Sequence, residues 1–148
     1  MIDRFEKFSL AISEISRYWH RIAAEELKQY GLKSSHATYL TTMSRFPDGI
    51  TAPKLAELCG KDKADVSRMM SIMDQKGLIT KVGSHPKLYR GYLKLTEEGK
   101  AVAKQIRRRA ELAVERAGGG LTDEARTIFY DSLDMITRNL KHICESGL

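Results

Sequence analysis

The tightest constraint on the fold lies in residues 51–76, where two short amphipathic segments are separated only by Cys59-Gly60-Lys61-Asp62. Thr51 is a capping type, and Pro53 falls in the first turn, where its missing N–H costs nothing. A helix is therefore expected through Leu55 and Leu58, stopping at Gly60. Asp62 then caps a second helix, Lys63 to Lys76. In it Val66, Met69, Met70 and Met73 make one inward face, and Gly77 ends it. A glycine between two such helices lets the chain turn sharply. Leu78-Ile79-Thr80-Lys81-Val82 follows as a strand, Gly83-Ser84-His85-Pro86 as a turn, and Tyr89 to Leu95 as the returning strand. The expected unit is a helix-turn-helix with a two-stranded β wing.

Long helices are expected on either side. Ile2, Phe5, Phe8, Ile12, Ile15, Trp19 and Ile22 recur at steps of three and four, which makes one apolar face on a helix from about Asp3 to Tyr30. Gly31 is a natural stop, and Ser34 or Ser35 caps a second helix carrying Ala37, Leu40 and Met43 on one side. After the hairpin, Thr96 opens a helix to about Ala117. Gly118-Gly119-Gly120 breaks it, and Thr122 caps a last helix to about Glu145. In that last helix Phe129, Leu133, Ile136, Leu140 and Ile143 alternate steps of four and three, the spacing of a seam for a partner helix. The fold class is mainly α, in a chain of single-domain length. A winged helix-turn-helix is expected over residues 33–99. The two chain ends, 1–32 and 100–148, form a helical dimerisation region through Ile2, Phe5, Phe8, Phe129, Leu133, Ile136 and Leu140.

Charge points to the same middle segment. Residues 61–100 hold nine Lys/Arg and five Asp/Glu, whereas each flank holds eight and seven. No acid occurs between Gln75 and Thr96, while Lys76, Lys81, Lys87, Arg90 and Lys94 do. A local run of one sign is an electrostatic footprint for a polyanion. The rest of the composition narrows the class further. Two cysteines, Cys59 and Cys144, are too few for a disulfide framework and fit free thiols in a reducing compartment. No apolar run reaches membrane-spanning length, and the early charges leave no signal-peptide core, so a cytoplasmic protein is expected. Catalytic signatures are missing: the triple glycine lacks the lysine and preceding strand of a phosphate-binding loop, and there is no His-Glu-x-x-His. No enzyme activity, cofactor or metal is expected.

The winged helix has a simple chemistry. Its second helix is narrow enough for the major groove, and its N-terminal turn presents Lys61, Lys63, Ala64, Asp65, Ser67 and Arg68. Asp65 fits two roles, accepting from a cytosine amine or complementing the helix dipole. The hairpin reaches sideways with His85, Lys87 and Arg90, cations suited to a narrow minor groove.

Four segments together resemble the multiple-antibiotic-resistance regulator (MarR) family. They are Ile50-Thr51-Ala52-Pro53-Lys54-Leu55-Ala56-Glu57-Leu58, Asp62-Lys63-Ala64-Asp65-Val66-Ser67-Arg68, Gln75-Lys76-Gly77-Leu78-Ile79 and Leu95-Thr96-Glu97-Glu98-Gly99-Lys100. The flanking helices extend the resemblance over essentially the whole chain. It implies a homodimer on double-stranded DNA with a roughly palindromic operator, most often a repressor, released by a small ligand or an oxidant. The family's wing carries Asp-x-Arg shortly before Leu-Thr. Here those positions are Lys87 and Tyr89, and the nearest arginine is Arg90, so less specific phosphate contacts are expected from Lys87 and Arg90. The missing motif also leaves a second reading, a winged-helix module for protein assembly with DNA binding lost or secondary.

The resemblance further places an effector in the cleft lined by the first two helices. Tyr18, Trp19, His20, His36 and Tyr39 are the candidates, their aromatic bodies and polar tips suiting an aromatic or phenolic ligand. Trp19 reads more readily as core, and His20 and His36 lack the neighbouring carboxylate or thiol of a metal site. Cys59, near the end of an amphipathic helix, is expected to be buried and inert; Cys144 is expected to be accessible.

Overall fold

The structure, a computed structural model, describes residues 3–83 and 91–148. Six helices and three short strands are present among them: α1 (Arg4–Lys28), α2 (Ser35–Met43), β1 (Ile50–Thr51), α3 (Ala52–Cys59), α4 (Lys63–Gln75), β2 (Ile79–Val82), β3 (Tyr92–Leu95), α5 (Glu97–Ala117) and α6 (Asp123–Ser146). The expected helix-turn-helix and the two flanking strands of the hairpin are there, within two or three residues of the expected ends. Ile2, His85, Lys87, Tyr89 and Arg90 lie outside the described residues.

The helix ends follow local chemistry. Asp3, Thr51, Asp62 and Thr122 each accept a backbone N–H three residues on, which satisfies donors that a helix start leaves open. Ser34 is the exception. It sits at the cap position of α2 without a side-chain bond. The first-turn donors go instead to backbone carbonyls, His36 N–H to Lys33 at 3.0 Å and Ala37 N–H to Ser34 at 3.1 Å, while the Lys33 N–H reaches Nδ1 of His36 at 3.0 Å. Gly60 and Gly77 end α3 and α4 in the left-handed region, at φ 63° and 71°. In each case the next residue's N–H reaches back to a carbonyl one turn earlier, Lys61 to Ala56 at 3.0 Å and Leu78 to Met73 at 2.9 Å. This is the pairing a left-handed helix stop permits.

The sheet corrects one expectation. It has three strands, in the order β1-β3-β2, all antiparallel. Ile50 pairs with Leu93 and Thr51 with Tyr92, while Ile79 to Val82 pair with Leu95 to Tyr92. Two residues carry no periodicity, so β1 is invisible as a strand until β3 lies beside it. Its Thr51 both ends the strand and caps α3.

The chain forms two compact units, one running to Ala110 and the other spanning Glu111–Leu148. The first holds the core. Leu40 and Met43 of α2, Leu55 of α3, Val66, Met70 and Met73 of α4, Leu93 and Leu95 of β3 and Ile106 of α5 are all buried in it. In the second, α6 has no buried residue. The apolar face of α1 is likewise uncovered: Phe5 is 74% exposed, and Phe8, Ile12, Ile15, Trp19 and Ile22 are all exposed. Phe129, Ile136 and Leu140 are exposed on α6, and Leu133 is half-buried. Among the described residues no helix is long and apolar enough to cross a membrane.

Candidate nucleic-acid interface

The burial of α4 divides its residues cleanly. Val66, Met70 and Met73 anchor one side in the core. With 3.6 residues per turn, Ala64 and Arg68 fall on the opposite side and Ser67 on the flank, while Lys63, three residues before Val66, shares the buried phase but stands at the first position of the helix. All four are exposed, as is Lys61 in the turn before them. Lys61, Lys63, Ala64, Ser67 and Arg68 are thus all exposed around the start of one helix.

Asp65 stands in the first turn of α4, where the helix dipole favours an acid, and is turned onto the protein rather than outward toward a cytosine amine. Its side chain is only 21% exposed and both oxygens are engaged within the protein. Oδ2 accepts from the Tyr39 hydroxyl of α2. Oδ1 faces Nη2 of Arg68 at 3.4 Å. Its backbone N–H is held by Asp62 at 2.7 Å. Burial, and then the Asp65 carboxylate beside it, push the Tyr39 phenol well above its ordinary range.

The five effector candidates are not brought together. Trp19 lines a cavity of about 130 Å³ formed by α1, α2 and α5, together with Ile22, Thr38, Thr41, Ile106 and Arg109. Tyr18 is exposed, with the Arg17 guanidinium 5.2 Å from its ring centroid. His20 is exposed and bonds its own helix, Nδ1 lying 2.6 Å from the Ser16 carbonyl. His36 and Tyr39 are buried in the core, on helical positions that point away from the cavity wall. Burial is the main cause holding His36 below its ordinary pKa, as expected where a charged form is desolvated.

One acid at this cavity escaped the sequence reading. Glu26, 11% exposed on its side chain, pairs with Nε of Arg109 at 3.2 Å. The run Arg107-Arg108-Arg109 reads as facing solvent or acids rather than DNA, and Arg109 meets an acid while its own side chain stays 55% exposed. Cys59 is half-buried rather than buried. Its Sγ lies 3.5 Å from the Thr42 hydroxyl, and burial pushes the thiol up, which disfavours the reactive thiolate. Cys144 is exposed.

No protein-family model matches the chain. Over 130 residues it is 28% identical to the uncharacterized HTH-type transcriptional regulator YybA of Bacillus subtilis, covering 88% of this chain and 86% of that protein. A solved MarR transcriptional regulator from Methanosarcina mazei is similar at a TM-score of 0.83 and 24% identity, over 97% of this chain and 94% of the other. A MarR family transcriptional regulator from Listeria monocytogenes, solved with a 26mer DNA, is similar at a TM-score of 0.79 and 23% identity, over 100% and 98%. All three bear the name of transcriptional regulators.

Proposed function

We propose, from the premise that this chain has the fold of the MarR-family transcriptional regulators, that it is a sequence-specific, dimeric DNA-binding regulator. The observation that carries the reading is the N-terminal part of α4, where Lys63, Ser67 and Arg68 stand exposed on a helix anchored in the core through Val66, Met70 and Met73. Such a helix enters a major groove without rearrangement, and its first turn offers both base-reading side chains and free backbone N–H groups for phosphate. The DNA complex of the similar Listeria protein supports the same reading.

The exposed apolar faces of α1 and α6 support a homodimer. Apolar stripes of that length are rarely left in water, and a two-fold dimer sets two copies of α4 about 34–36 Å apart, one turn of DNA. In this reading residues 33–99 bind DNA, and residues 1–32 and 100–148 dimerise. The protein acts as a repressor, and a small aromatic effector releases it from the cavity beside Trp19, whose volume suits a single ring.

The test is a footprint on the DNA upstream of the protein's own gene. Two protected half-sites one turn apart are expected. Arg68→Ala should weaken binding to that site by roughly 1–3 kcal/mol. Equal affinity for every duplex at physiological salt would overturn the sequence-specific regulator reading. Trp19 is the chain's one tryptophan, so quenching of its fluorescence by phenolic compounds reports directly on the effector part of the proposal.

A further inference from the structure

We propose that Tyr39 is a positioning residue for DNA recognition: from α2 it pins the Asp65 carboxylate inward, and Asp65 in turn holds Arg68 for the DNA. The inference rests on the reading of α4 as the DNA-facing helix. Tyr39 is fully buried, and its hydroxyl crosses from α2 to α4 to meet Oδ2 of Asp65. The other oxygen of the same carboxylate faces Arg68 Nη2 at 3.4 Å. The two ends of this relay differ sharply in exposure. Tyr39 is sealed in the core, Asp65 is partly covered, and the Arg68 side chain is 67% exposed.

A carboxylate on the first turn of a groove-entering helix is an electrostatic liability, because phosphates surround it. Here that charge is turned onto the protein, where the phenol takes one oxygen and the guanidinium neutralises the other. Arg68 uses one of its five N–H donors on Asp65 and keeps the rest for a base edge or a phosphate. An arginine tethered in this way has less rotamer freedom to lose on binding. Removing the phenolic hydroxyl loosens the carboxylate and with it the tether on Arg68. The relay accounts for a carboxylate standing on an otherwise basic face.

The test is a double-mutant cycle on the full chain, using Tyr39→Phe, Arg68→Ala and the pair. Binding is measured to the preferred duplex and to a random duplex of equal length. Tyr39→Phe should weaken the preferred duplex by roughly three- to tenfold and the random duplex much less. On top of Arg68→Ala it should change affinity for the preferred duplex less than about twofold. A merely structural role for Tyr39 predicts losses that multiply in the double variant, and that result overturns the inference. So does a Tyr39→Phe protein with wild-type preference. If Arg68→Ala itself binds the preferred duplex like wild type, the reading of α4 falls and this inference falls with it. If Tyr39→Phe does not fold, Asp65→Asn replaces it. The asparagine still accepts from Tyr39 but no longer attracts Arg68, and independence from Arg68→Ala would again overturn the inference.

Discussion

His36 shows how one buried ring ties stability to pH. Its Nδ1 lies 3.0 Å from the Lys33 backbone nitrogen and 3.3 Å from the Lys33 carbonyl oxygen, while Nε2 is buried with no hydrogen-bond partner among the described residues. Burial opposes the charge most strongly. The Lys33 and Lys76 cations also oppose it, while the Lys33 carbonyl and the Asp65 carboxylate favour it, and the pKa falls below its ordinary value of 6.5. The unfolded chain therefore takes up a proton at a higher pH than the folded one. His36 contributes its full stability above about pH 6.5, and that contribution is lost as pH falls below it. Melting wild type and His36→Gln between pH 7.5 and 5 checks this. The stability difference between them should shrink as pH drops, and a constant difference would contradict the account.

Two glycines at helix ends are required for different reasons, and the distinction belongs to the elements they join. Gly60 ends α3 at φ 63°, and a Cβ added there meets nothing within 4 Å. Only the backbone objects, so Gly60→Ala should cost about 1 kcal/mol. Gly99 is an ordinary helical residue in the first turn of α5, yet a Cβ there would lie 2.0 Å from the Leu78 carbonyl oxygen. That carbonyl already accepts the Thr96 N–H at 3.0 Å, while the Thr96 hydroxyl donates to Gly77 O at 2.7 Å and accepts the Gly99 N–H at 3.1 Å. The end of α4, the start of β2 and the start of α5 are thus stitched through backbone groups that cannot retreat. Gly99→Ala should cost about 3 kcal/mol and lower the melting temperature by roughly 10 °C. Gly60→Ala, measured at the same protein concentration, should lower it by only a few degrees.

At the scale of the whole molecule, the unburied apolar faces dominate. Phe129 and Leu140 stand in water on α6, which contributes nothing to the core of its own chain. Covering what remains exposed of each such side chain is worth roughly 1 kcal/mol, about half of a full burial, whereas a carboxylate in the same seam costs more than the contact supplies. Phe129→Glu combined with Leu140→Glu should therefore give a monomer in sedimentation, with helix content kept because no core residue is touched. Such a monomer holds one half-site at a time and should lose most operator affinity. A double variant that still sediments as a dimer would move the interface off α6.

The sequence by itself determined what depends on neighbours along the chain. The Asp62 cap, the Gly60 and Gly77 stops, and the spacing of Val66, Met70 and Met73 specify α4 and its outward residues, because helix ends and faces are settled within a turn or two. The apolar stripes of α1 and α6 were legible for the same reason. Tertiary structure decided what depends on who lies opposite. It paired Ile50-Thr51 with β3, sent His36 and Tyr39 into the core while leaving Trp19 at a cavity, and chose Arg109 from three adjacent arginines to meet Glu26. Above all it gave Asp65 its partner. Tyr39 lies 26 residues away in sequence, and no local pattern announces a bond between two side chains that only the packing of α2 against α4 brings together.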